Sequence, residues 1–438
     1  MLLSARVPVA CRVTLLIVLS VTLTMPPVYA QDHAGHGPGG EHSIDQSAPV
    51  EESGTAWSPA STTMSGWHRQ ARDWELMVHG NIFVQFISDF GTEHHGGHQP
   101  GSINWIMGMA TRPLGSGRLT LRSMISAEPW TIRGCGYPNL LASGEICNGD
   151  NIHDLQHPHD LFMDVSAKYD GPLTNRLRWE LYGGPAGEPA LGPAGFPHRL
   201  SAAVNPIAPI AHHWLDSTHI TFGLVTAGVY SNRWKAEGSV FNGREPDPVR
   251  TNFELAPLDS FSARVSIAPA TNLVMQVSGG HLREAEQGVG SQPRTDVTRA
   301  TASASYYRPR ASSGTWATTL AFGVNSGAEI IPTGTFEATT AAALLETSLI
   351  VDERQTYFGR AEIVQKPADD LHAHEFGAQV FTIAKLQGGY MRSLTTWAGI
   401  ATGVGGSVSV SLVPPELAPR YDGRVAPGFS VFVNLQPR

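Results

Sequence analysis

The sequence contains only three cysteines among its 438 residues, and its formal net charge at pH 7 is -8. It has no paired-thiolate spacing of a structural zinc site, no Gly-rich phosphate-binding loop and no zinc hydrolase motif. Its mild acidity offers no basic surface to nucleic acid. After residue 30, no apolar stretch approaches the roughly 20 residues that a membrane-spanning helix needs. These absences argue against a nucleic-acid-binding protein, a helical membrane protein and the enzyme classes that those motifs mark.

The N-terminus has the order of a secretory signal peptide. Two arginines precede an apolar run at 13–25, and a small-residue sequence ending at Ala30 follows it. This order predicts a signal peptide over residues 1–30, with Gln31 as the first residue of the mature chain. An uncleaved anchor is the weaker alternative, because the apolar run is too short to span a bilayer.

Removal of a signal peptide leaves Cys135 and Cys147, which lie in the turn-rich stretch RGCGYPNLLASGEICNGD. Export to an oxidising compartment favours a disulfide between them. Closing a loop of this size contributes about 3 kcal/mol. We therefore predict a disulfide that staples one long loop without organising the whole fold.

Residues 31–70 are rich in Gly, Ser, Pro and His and have few apolar side chains. Such a composition cannot bury enough surface to offset the entropy lost on ordering, so we predict a disordered leader here. Its histidines, His33, His36 and His42, suit either loose metal capture or a merely solvated tail. Composition does not separate these two roles.

Residues 71–438 alternate apolar and polar side chains in segments of about ten residues, separated by turn-forming clusters. The segment 429–435 illustrates the pattern, since its first, third, fifth and seventh residues are all apolar. Successive side chains of a strand point to opposite faces. The alternation therefore predicts an all-β domain.

A β-sandwich and a β-barrel both fit this alternation, and the connections decide between them. Short turns at 112–117, 170–175, 269–272 and 352–355 alternate with much longer connections. Tight turns on one side and long loops on the other are typical of outer-membrane barrels. We predict a closed antiparallel transmembrane β-barrel of about 16 strands, with roughly 12–14 as the alternative. The expected location is the outer membrane of a Gram-negative bacterium, in contact with its lipids.

A barrel of about 16 strands is wide enough for an aqueous channel unless loops fold inward. The polar strand faces then line the lumen, where opposite charges pair across neighbouring strands. The predicted lumen-lining residues are Arg122, Arg178, Glu180, Lys235, Glu237, Arg264, Arg299, Arg360 and Glu362.

The 18 histidines fall mostly in the predicted long loops, on one side of the barrel. Neutral imidazole is the commonest transition-metal ligand, so loops that combine histidines with carboxylates can bind copper, zinc or nickel. No strict metal signature is present. The competing interpretation is that these histidines are polar residues that hold the loops in shape. The predicted metal ligands are His94, His95, His98, His153, His157, His159, Asp160, His212, His213, Asp216 and His219.

The stretch 153–247 contains HDLQHPHDLFMDVSAKY, YGGPAGEPALGPAGFPHR, HHWLDSTHITFGLVTAGV and WKAEGSVFNGREPD. It resembles an uncharacterised family of predicted bacterial outer-membrane barrels that is often associated with heavy-metal and copper resistance systems. A His-rich leader before a barrel is also similar in layout to copper-resistance outer-membrane proteins of the B type. Those proteins carry a Met-rich leader, whereas this leader has only Met64. The resemblance implies metal ions or a metal-efflux system as partners.

Three functions compete at this point. The leading hypothesis is a non-enzymatic barrel that binds or passes copper or zinc ions through His-rich external loops. The second is a general diffusion pore or structural barrel, in which the Gly/Pro-rich loop at 183–209 folds inward as a constriction. The third is a lipid-acting hydrolase built on Asp216, Ser217 and His219, although no nucleophile elbow is present.

Overall fold

The computed structural model of the chain describes residues 48–92, 94–290, 292–310, 314–331 and 334–438. The predicted signal peptide and the leader histidines His33, His36 and His42 lie outside these residues. The described part is built almost entirely from strands. Its helices are single turns, and none of them is long and apolar enough to cross a membrane.

The strands are numbered here in chain order. The first ten, β1 to β10, are Val50–Glu51, Trp57–Ser58, Trp67–Ala71, Trp74–Asp89, Gly97–Leu114, Gly117–Ile125, Tyr137–Cys147, Asp150–Gln156, Phe162–Pro172 and Arg178–Ala186. The others, β11 to β21, are Leu224–Tyr230, Trp234–Phe241, Ser260–Ala270, Leu273–Glu286, Thr295–Arg310, Gly314–Ile331, Gly334–Val351, Gln355–Pro367, Val380–Trp397, Ile400–Leu412 and Val425–Pro437. The helical turns are Glu128–Thr131, His212–Leu215, Ser217–His219, Asp369–Leu371 and His374–Phe376.

Sixteen long strands, β4–β6 and β9–β21, form one closed antiparallel barrel. The ring closes where β21 pairs with the later half of β4, from Gly428 opposite Asp89 to Leu435 opposite Ile82. The short strand β3 pairs with the earlier half of β4 and so continues the line of β21. The predicted fold class and strand number are confirmed.

The four short turns predicted from the sequence all lie at one end of the barrel, which we call the turn end. Between β17 and β18, Asp352 and Glu353 both have a φ of 54°. Two consecutive left-handed residues are typical of a type I′ turn, whose twist matches that of the paired strands. The long loops, at 126–161, 187–223 and 242–259, lie at the opposite end, which we call the loop end.

The outer face of the barrel is an apolar belt. Val84, Leu121, Val277, Leu345 and Val431 point outward and are between 42 % and 58 % exposed. Exposed aromatic residues near the turn end are Trp67, Trp179, Trp234, Trp316, Tyr357 and Trp397. A closed barrel pairs its backbone groups internally, and an apolar belt bordered by aromatic residues matches a lipid bilayer. The chain is therefore a transmembrane β-barrel, and its location is the outer membrane.

The loop between β10 and β11, residues 187–223, fills much of the lumen, and we call it the plug loop. Its contacts reach wall strands on different sides of the barrel. The Ala190 amide donates to Ser239 Oγ on β12 at 2.8 Å. The Asn205 side chain donates to Gln387 Oε1 on β19, also at 2.8 Å. The wall thus supplies hydrogen-bond partners all around this loop.

The position of the plug loop corrects one prediction. His212, His213 and His219 were expected in external loops, but they lie inside the barrel and are buried. The inward path is favoured because polar wall side chains form hydrogen bonds with the backbone of the loop, and buried polar groups require such partners. The inward folding of 183–209, which the pore hypothesis expected, is present.

Residues 48–66, which we call the N-terminal segment, also enter the lumen. The stretch 53–59 is buried, and the amide of Ser61 donates to the Thr271 carbonyl in a tight turn at 2.9 Å. The prediction of disorder over 31–70 is therefore wrong for its described part. Composition did not predict this order because the polar groups of the segment form hydrogen bonds with charged wall residues. The segment therefore does not need an apolar core.

Candidate metal centre

Five histidine side chains meet where the plug loop contacts the stretch that follows β8. His157 and His159 come from that stretch, whereas His212, His213 and His219 belong to the plug loop. Neighbouring ring centroids in this group lie between 5.1 and 6.0 Å apart. Each side chain is 11 % exposed or less. We call this group the five-histidine cluster.

The Nδ1 atom of each ring in the cluster faces an oxygen atom. The nitrogen-to-oxygen distances are 2.8 Å for His159 and Glu128, 2.9 Å for His212 and Asp216, 3.0 Å for His213 and Glu245, 2.8 Å for His219 and the Asp216 carbonyl, and 3.4 Å for His157 and Glu145. A carbonyl or an ionised carboxylate only accepts, so Nδ1 carries the proton that it donates to such a partner. Metal-binding histidines are oriented by the same contact, which leaves Nε2 for the ion.

The opposite ring nitrogen, Nε2, lacks a hydrogen-bond partner in several rings of the cluster. The Nε2 atoms of His157, His213 and His219 are buried and have no hydrogen-bond partner. A buried polar group without a partner costs about 1–3 kcal/mol. The Phe196 ring packs against the cluster at 5.4 to 5.7 Å and excludes water on that side. Several unpartnered imidazole nitrogens in one dry pocket are suited to a metal ion.

Burial keeps most of the cluster uncharged. It lowers the pKa of His157 and of His219 well below the ordinary value, and it lowers the pKa of His213 to about 4. Burial also lowers the pKa of His212, although the hydrogen bond to Asp216 acts in the opposite direction. Neutral imidazole is the form that coordinates a metal, so these rings need no deprotonation at neutral pH.

His159 differs from the other four rings. Burial alone lowers its pKa, but the Glu128 carboxylate outweighs burial and raises the pKa above the ordinary value. Glu128 also accepts the backbone amide of His159 at 2.9 Å. This ring is therefore held as the partner of a carboxylate, which makes it a support of the cluster and not a metal ligand.

Asp216 links the cluster to the barrel wall. Burial alone raises the pKa of Asp216, but the Arg199 guanidinium outweighs it and keeps the pKa far below the ordinary value. Arg199 bonds Asp216 on one side and, at 2.6 Å, Glu346 of β17 on the other. The single helical turn at His212–Leu215 brings His212 and Asp216 together at i,i+4 spacing. Asp216 thus orients His212, and its two carboxylate oxygens are occupied by His212 and Arg199.

Asp160 was predicted as a ligand, and the structure places it against Arg250 instead. The distance from Arg250 Nη1 to Asp160 Oδ2 is 3.4 Å, and Arg250 also bonds Glu145. Burial raises the pKa of Asp160 to about 7, against the effect of Arg250. These contacts make Asp160 part of an ion-pair network beside the cluster.

A cavity of about 90 Å³ lies beside His213, and six carboxyl groups are among the groups that line it. These belong to Glu145, Glu245, Glu286, Glu329, Asp369 and Asp370. Burial raises the pKa of Glu245 to about 8, so at neutral pH this carboxyl holds a proton that His213 Nδ1 can accept. His213 therefore lies between the cavity and the other rings of the five-histidine cluster. The best ligand candidates are His157, His212 and His219.

A second group of predicted ligands lies among the outer loops. The ligand atoms of His95, His153 and Asp154 all lie within 4.8 Å of one another, and among the described residues no other three His, Cys, Asp or Glu side chains are this close. Asp154, however, already accepts His95 Nδ1 at 2.6 Å and the Leu141 amide at 2.7 Å. The His372 ring stacks on His153 at 4.2 Å. These contacts hold the outer loops together.

Two further predicted ligands stand apart from both groups. His98 is an exposed residue of β5, and its ring lies 6.1 Å from that of Phe86. His94 is exposed in the loop before that strand. Proximity in sequence to His95 therefore did not place either ring in a site.

The predicted lumen-lining residues face the interior, and all except Arg178 are buried. Most of them form ion pairs under the plug. For example, Lys235 Nζ lies 3.1 Å from Glu180 Oε1, and Arg264 Nε lies 2.9 Å from Glu237 Oε1. The plug loop and the N-terminal segment cover the wall at most of these residues.

The hydrolase hypothesis is not favoured by the local geometry. Ser217 and His219 lie in the helical turn Ser217–His219. The Ser217 hydroxyl accepts from Arg299 Nη1 at 2.9 Å. His219 Nε2 has no hydrogen-bond partner and thus does not activate this hydroxyl.

Several residues of the site could not be predicted from the sequence. Glu128 is 31 residues from His159, and Glu245 is 32 residues from His213, so no local spacing joins these pairs. The only sequence signal was the presence of acidic residues in the long loops at the same end of the barrel as the histidines. By contrast, the disulfide between Cys135 and Cys147 is confirmed.

No protein-family model and no curated protein sequence matches the chain. Several solved outer-membrane proteins have a similar fold. An anion-selective porin from Comamonas acidovorans is 11 % identical, with a TM-score of 0.48, and the match covers 83 % of this chain and 99 % of the porin. The outer membrane channel DcaP of Acinetobacter baumannii is 8 % identical, with a TM-score of 0.46 and coverage of 85 % and 100 %. OmpT of Vibrio cholerae is 9 % identical, with a TM-score of 0.43 and coverage of 84 % and 100 %. Similarity at this level concerns the barrel alone.

Proposed function

We propose that this outer-membrane barrel binds a divalent transition-metal ion, Cu²⁺ or Zn²⁺, through Nε2 of His157, His212 and His219. The observation that carries the proposal is the meeting of three rings whose Nδ1 atoms each face an oxygen atom. Two of these rings, His157 and His219, also have buried Nε2 atoms that lack hydrogen-bond partners. Three imidazoles leave a fourth coordination position open to water or an exchanging ligand. Such a site suits an ion that is taken up and released.

The cluster is a loosely preformed site. Its ring centroids are 5.1 Å apart for His212 and His219 and 6.0 Å apart for His157 and His212. The ligand atoms of these three residues do not all lie within 4.8 Å of one another, so bonds of about 2.0 Å from the ion to each nitrogen require rotation of the side chains. Imidazole suits copper, zinc and nickel, and carboxylate partners of the rings raise affinity. The acidic cavity beside His213 is the route by which a cation would reach the rings.

The test is a calorimetric titration of the purified full chain in detergent with Zn²⁺ and with Cu²⁺. The expected result for the wild type is one site per chain. Replacing a ligand, as in His212→Ala or His219→Ala, is expected to lower affinity by more than the roughly 10–100-fold that loss of a supporting residue causes. Electron paramagnetic resonance of the Cu²⁺ complex should show nitrogen hyperfine coupling in the wild type.

The matched control is His98→Ala, which removes an exposed imidazole outside the cluster and should leave both affinities unchanged. Wild-type affinity in His157→Ala and in His212→Ala would rule out the ligand assignment. Gel mobility with and without heating, a property of intact barrels, separates loss of binding from loss of folding.

A further inference from the structure

A row of three buried side chains runs across neighbouring wall strands between the five-histidine cluster and the turn end. His79 on β4 is directly opposite Met107 on β5, and Met107 is directly opposite Met124 on β6. Directly paired residues of antiparallel strands project from the same face, with Cβ atoms about 5 Å apart. All three face the lumen, and each is no more than 7 % exposed.

The plug loop adds another imidazole to this row. His198 Nε2 lies 3.2 Å from Met124 Sδ, and the His198 ring centroid lies 5.7 Å from that of His79. A nitrogen and a sulfur ligand that share one ion, with bonds of about 2.0 and 2.3 Å, are roughly 3.5 Å apart. The nitrogen and sulfur atoms are thus already close to the spacing that a shared ion imposes.

Two further observations point to a bound cation. His79 Nε2 is buried and has no hydrogen-bond partner. The Trp105 ring lies 5.3 Å from the His79 ring and 4.6 Å from the His198 ring, and an indole face attracts a cation. A cavity of about 60 Å³ borders these three residues and is also lined by Met64 of the N-terminal segment. The imidazoles of His79 and His198 therefore border a cavity toward the turn end.

We propose that His79, His198, Met107 and Met124 form a second metal site, for a soft monovalent cation such as Cu⁺ or Ag⁺. Thioether sulfur is a soft ligand that favours Cu⁺, in contrast to the all-imidazole set of the five-histidine cluster. The inference goes beyond the proposed divalent site and stands even if that cluster binds nothing. A small cavity lined by both His159 and Trp105 lies between the two sites.

The test uses Ag⁺, which has no redox chemistry to control, and the full chain in detergent labelled with ¹³C at the methionine methyl groups. Signals are assigned by their loss in Met107→Leu and Met124→Leu, which conserve side-chain volume. Addition of Ag⁺ to the wild type is expected to shift these two signals until one equivalent is bound. Met124→Leu is expected to weaken Ag⁺ binding about tenfold or more, because a soft ligand is lost.

The matched control is Met163→Leu, a methionine of the same apolar cluster, which should bind Ag⁺ like the wild type. His212→Ala should also leave the methyl shifts unchanged, so failure of the divalent site and failure of this one are distinguishable. Unshifted Met107 and Met124 signals at saturating Ag⁺ would overturn the proposal. Equal Ag⁺ affinity of the wild type and Met124→Leu would overturn it as well.

Discussion

Glu188 joins the two segments that fill the barrel. Its carboxyl is 3 % exposed and accepts Ser53 Oγ of the N-terminal segment at 2.6 Å. Burial raises the pKa of Glu188 to about 7, although Arg264 and the Ser53 hydrogen bond act in the opposite direction. Burial likewise raises the pKa of Glu52, which accepts the Leu200 amide, to about 8. Ionisation of either carboxyl therefore places a charge where the two segments meet, and burial disfavours that charge.

We predict that the N-terminal segment loosens as pH rises from about 4.5 to 8. A carboxyl whose folded pKa is above its ordinary value stabilises the contact fully below that ordinary value and has lost this contribution once the pH has risen through the folded pKa. The relevant window therefore runs from the ordinary pKa of 4.5 to the folded values of about 7 for Glu188 and about 8 for Glu52. Hydrogen exchange of residues 48–66 should accelerate in this window beyond its intrinsic pH dependence. The double variant Glu52→Gln/Glu188→Gln should lack the added acceleration, and equal behaviour of variant and wild type would contradict the prediction.

At the scale of an element, the hairpin of β7 and β8 holds the cluster against the plug. The disulfide ties Cys135, just before β7, to Cys147 at its end. Glu145 on the same strand lies 3.4 Å from His157 Nδ1, and Asn139 donates to the Ala208 carbonyl of the plug loop at 3.1 Å. The hairpin therefore connects one ligand candidate to the loop that carries the other two.

We predict that replacing both cysteines by serine weakens Zn²⁺ binding while the barrel persists. The bond closes a loop with a sequence separation of 12, and removing such a bridge costs about 3 kcal/mol by freeing the chain. The cost falls on the hairpin, since the wall strands pair independently of it. Limited proteolysis should cut the variant within 132–150 and spare the wild type. Reduction of the wild type should reproduce both effects, and unchanged affinity and cleavage would contradict this role.

At the scale of the whole molecule, the barrel is closed by two segments that enter from opposite ends. The plug loop comes from the loop end and the N-terminal segment from the turn end, and they meet where Ser53 contacts Glu188. Cavities lined in part by the plug loop have volumes of about 90, 60 and 20 Å³. A wall of 16 strands encloses a channel when it is empty. The filled lumen thus distinguishes this molecule from an open pore, which remains the alternative function to test.

We predict that the intact chain conducts poorly in a planar bilayer and that deleting the plug opens it. Gly187 and Thr221 pair with each other, so a short Gly-Ser turn can replace residues 189–219 without moving the wall strands. The deletion should raise single-channel conductance several-fold, because the 16-strand lumen would then admit water. Deleting residues 31–66 as well should raise it further. Large conductance of the intact chain, insensitive to Zn²⁺, would favour the diffusion pore.

The barrel could be predicted from the sequence because its determinants are local. Strand faces alternate every second residue, as in 429–435, and tight turns such as that at Asp352 and Glu353 follow from a few adjacent residues. The outward faces, the disulfide and the number of strands follow from such patterns. Candidate ligands could also be named, because histidine is recognised by type, and His157, His212 and His219 were among them.

Only the tertiary structure decided which of these histidines meet and where. A loop rich in Gly and Pro can fold outward or inward, and the choice depends on partners far along the chain, such as Glu346 for Arg199, a separation of 147 residues. The same holds for Glu128 and His159, which are 31 residues apart in one long loop. It also holds for His198 and Met124, which belong to the plug loop and to β6. Composition and spacing describe neighbours along the chain, whereas burial, ring orientation and the pairing of His79 with Met107 are set by closure of the barrel around its plug.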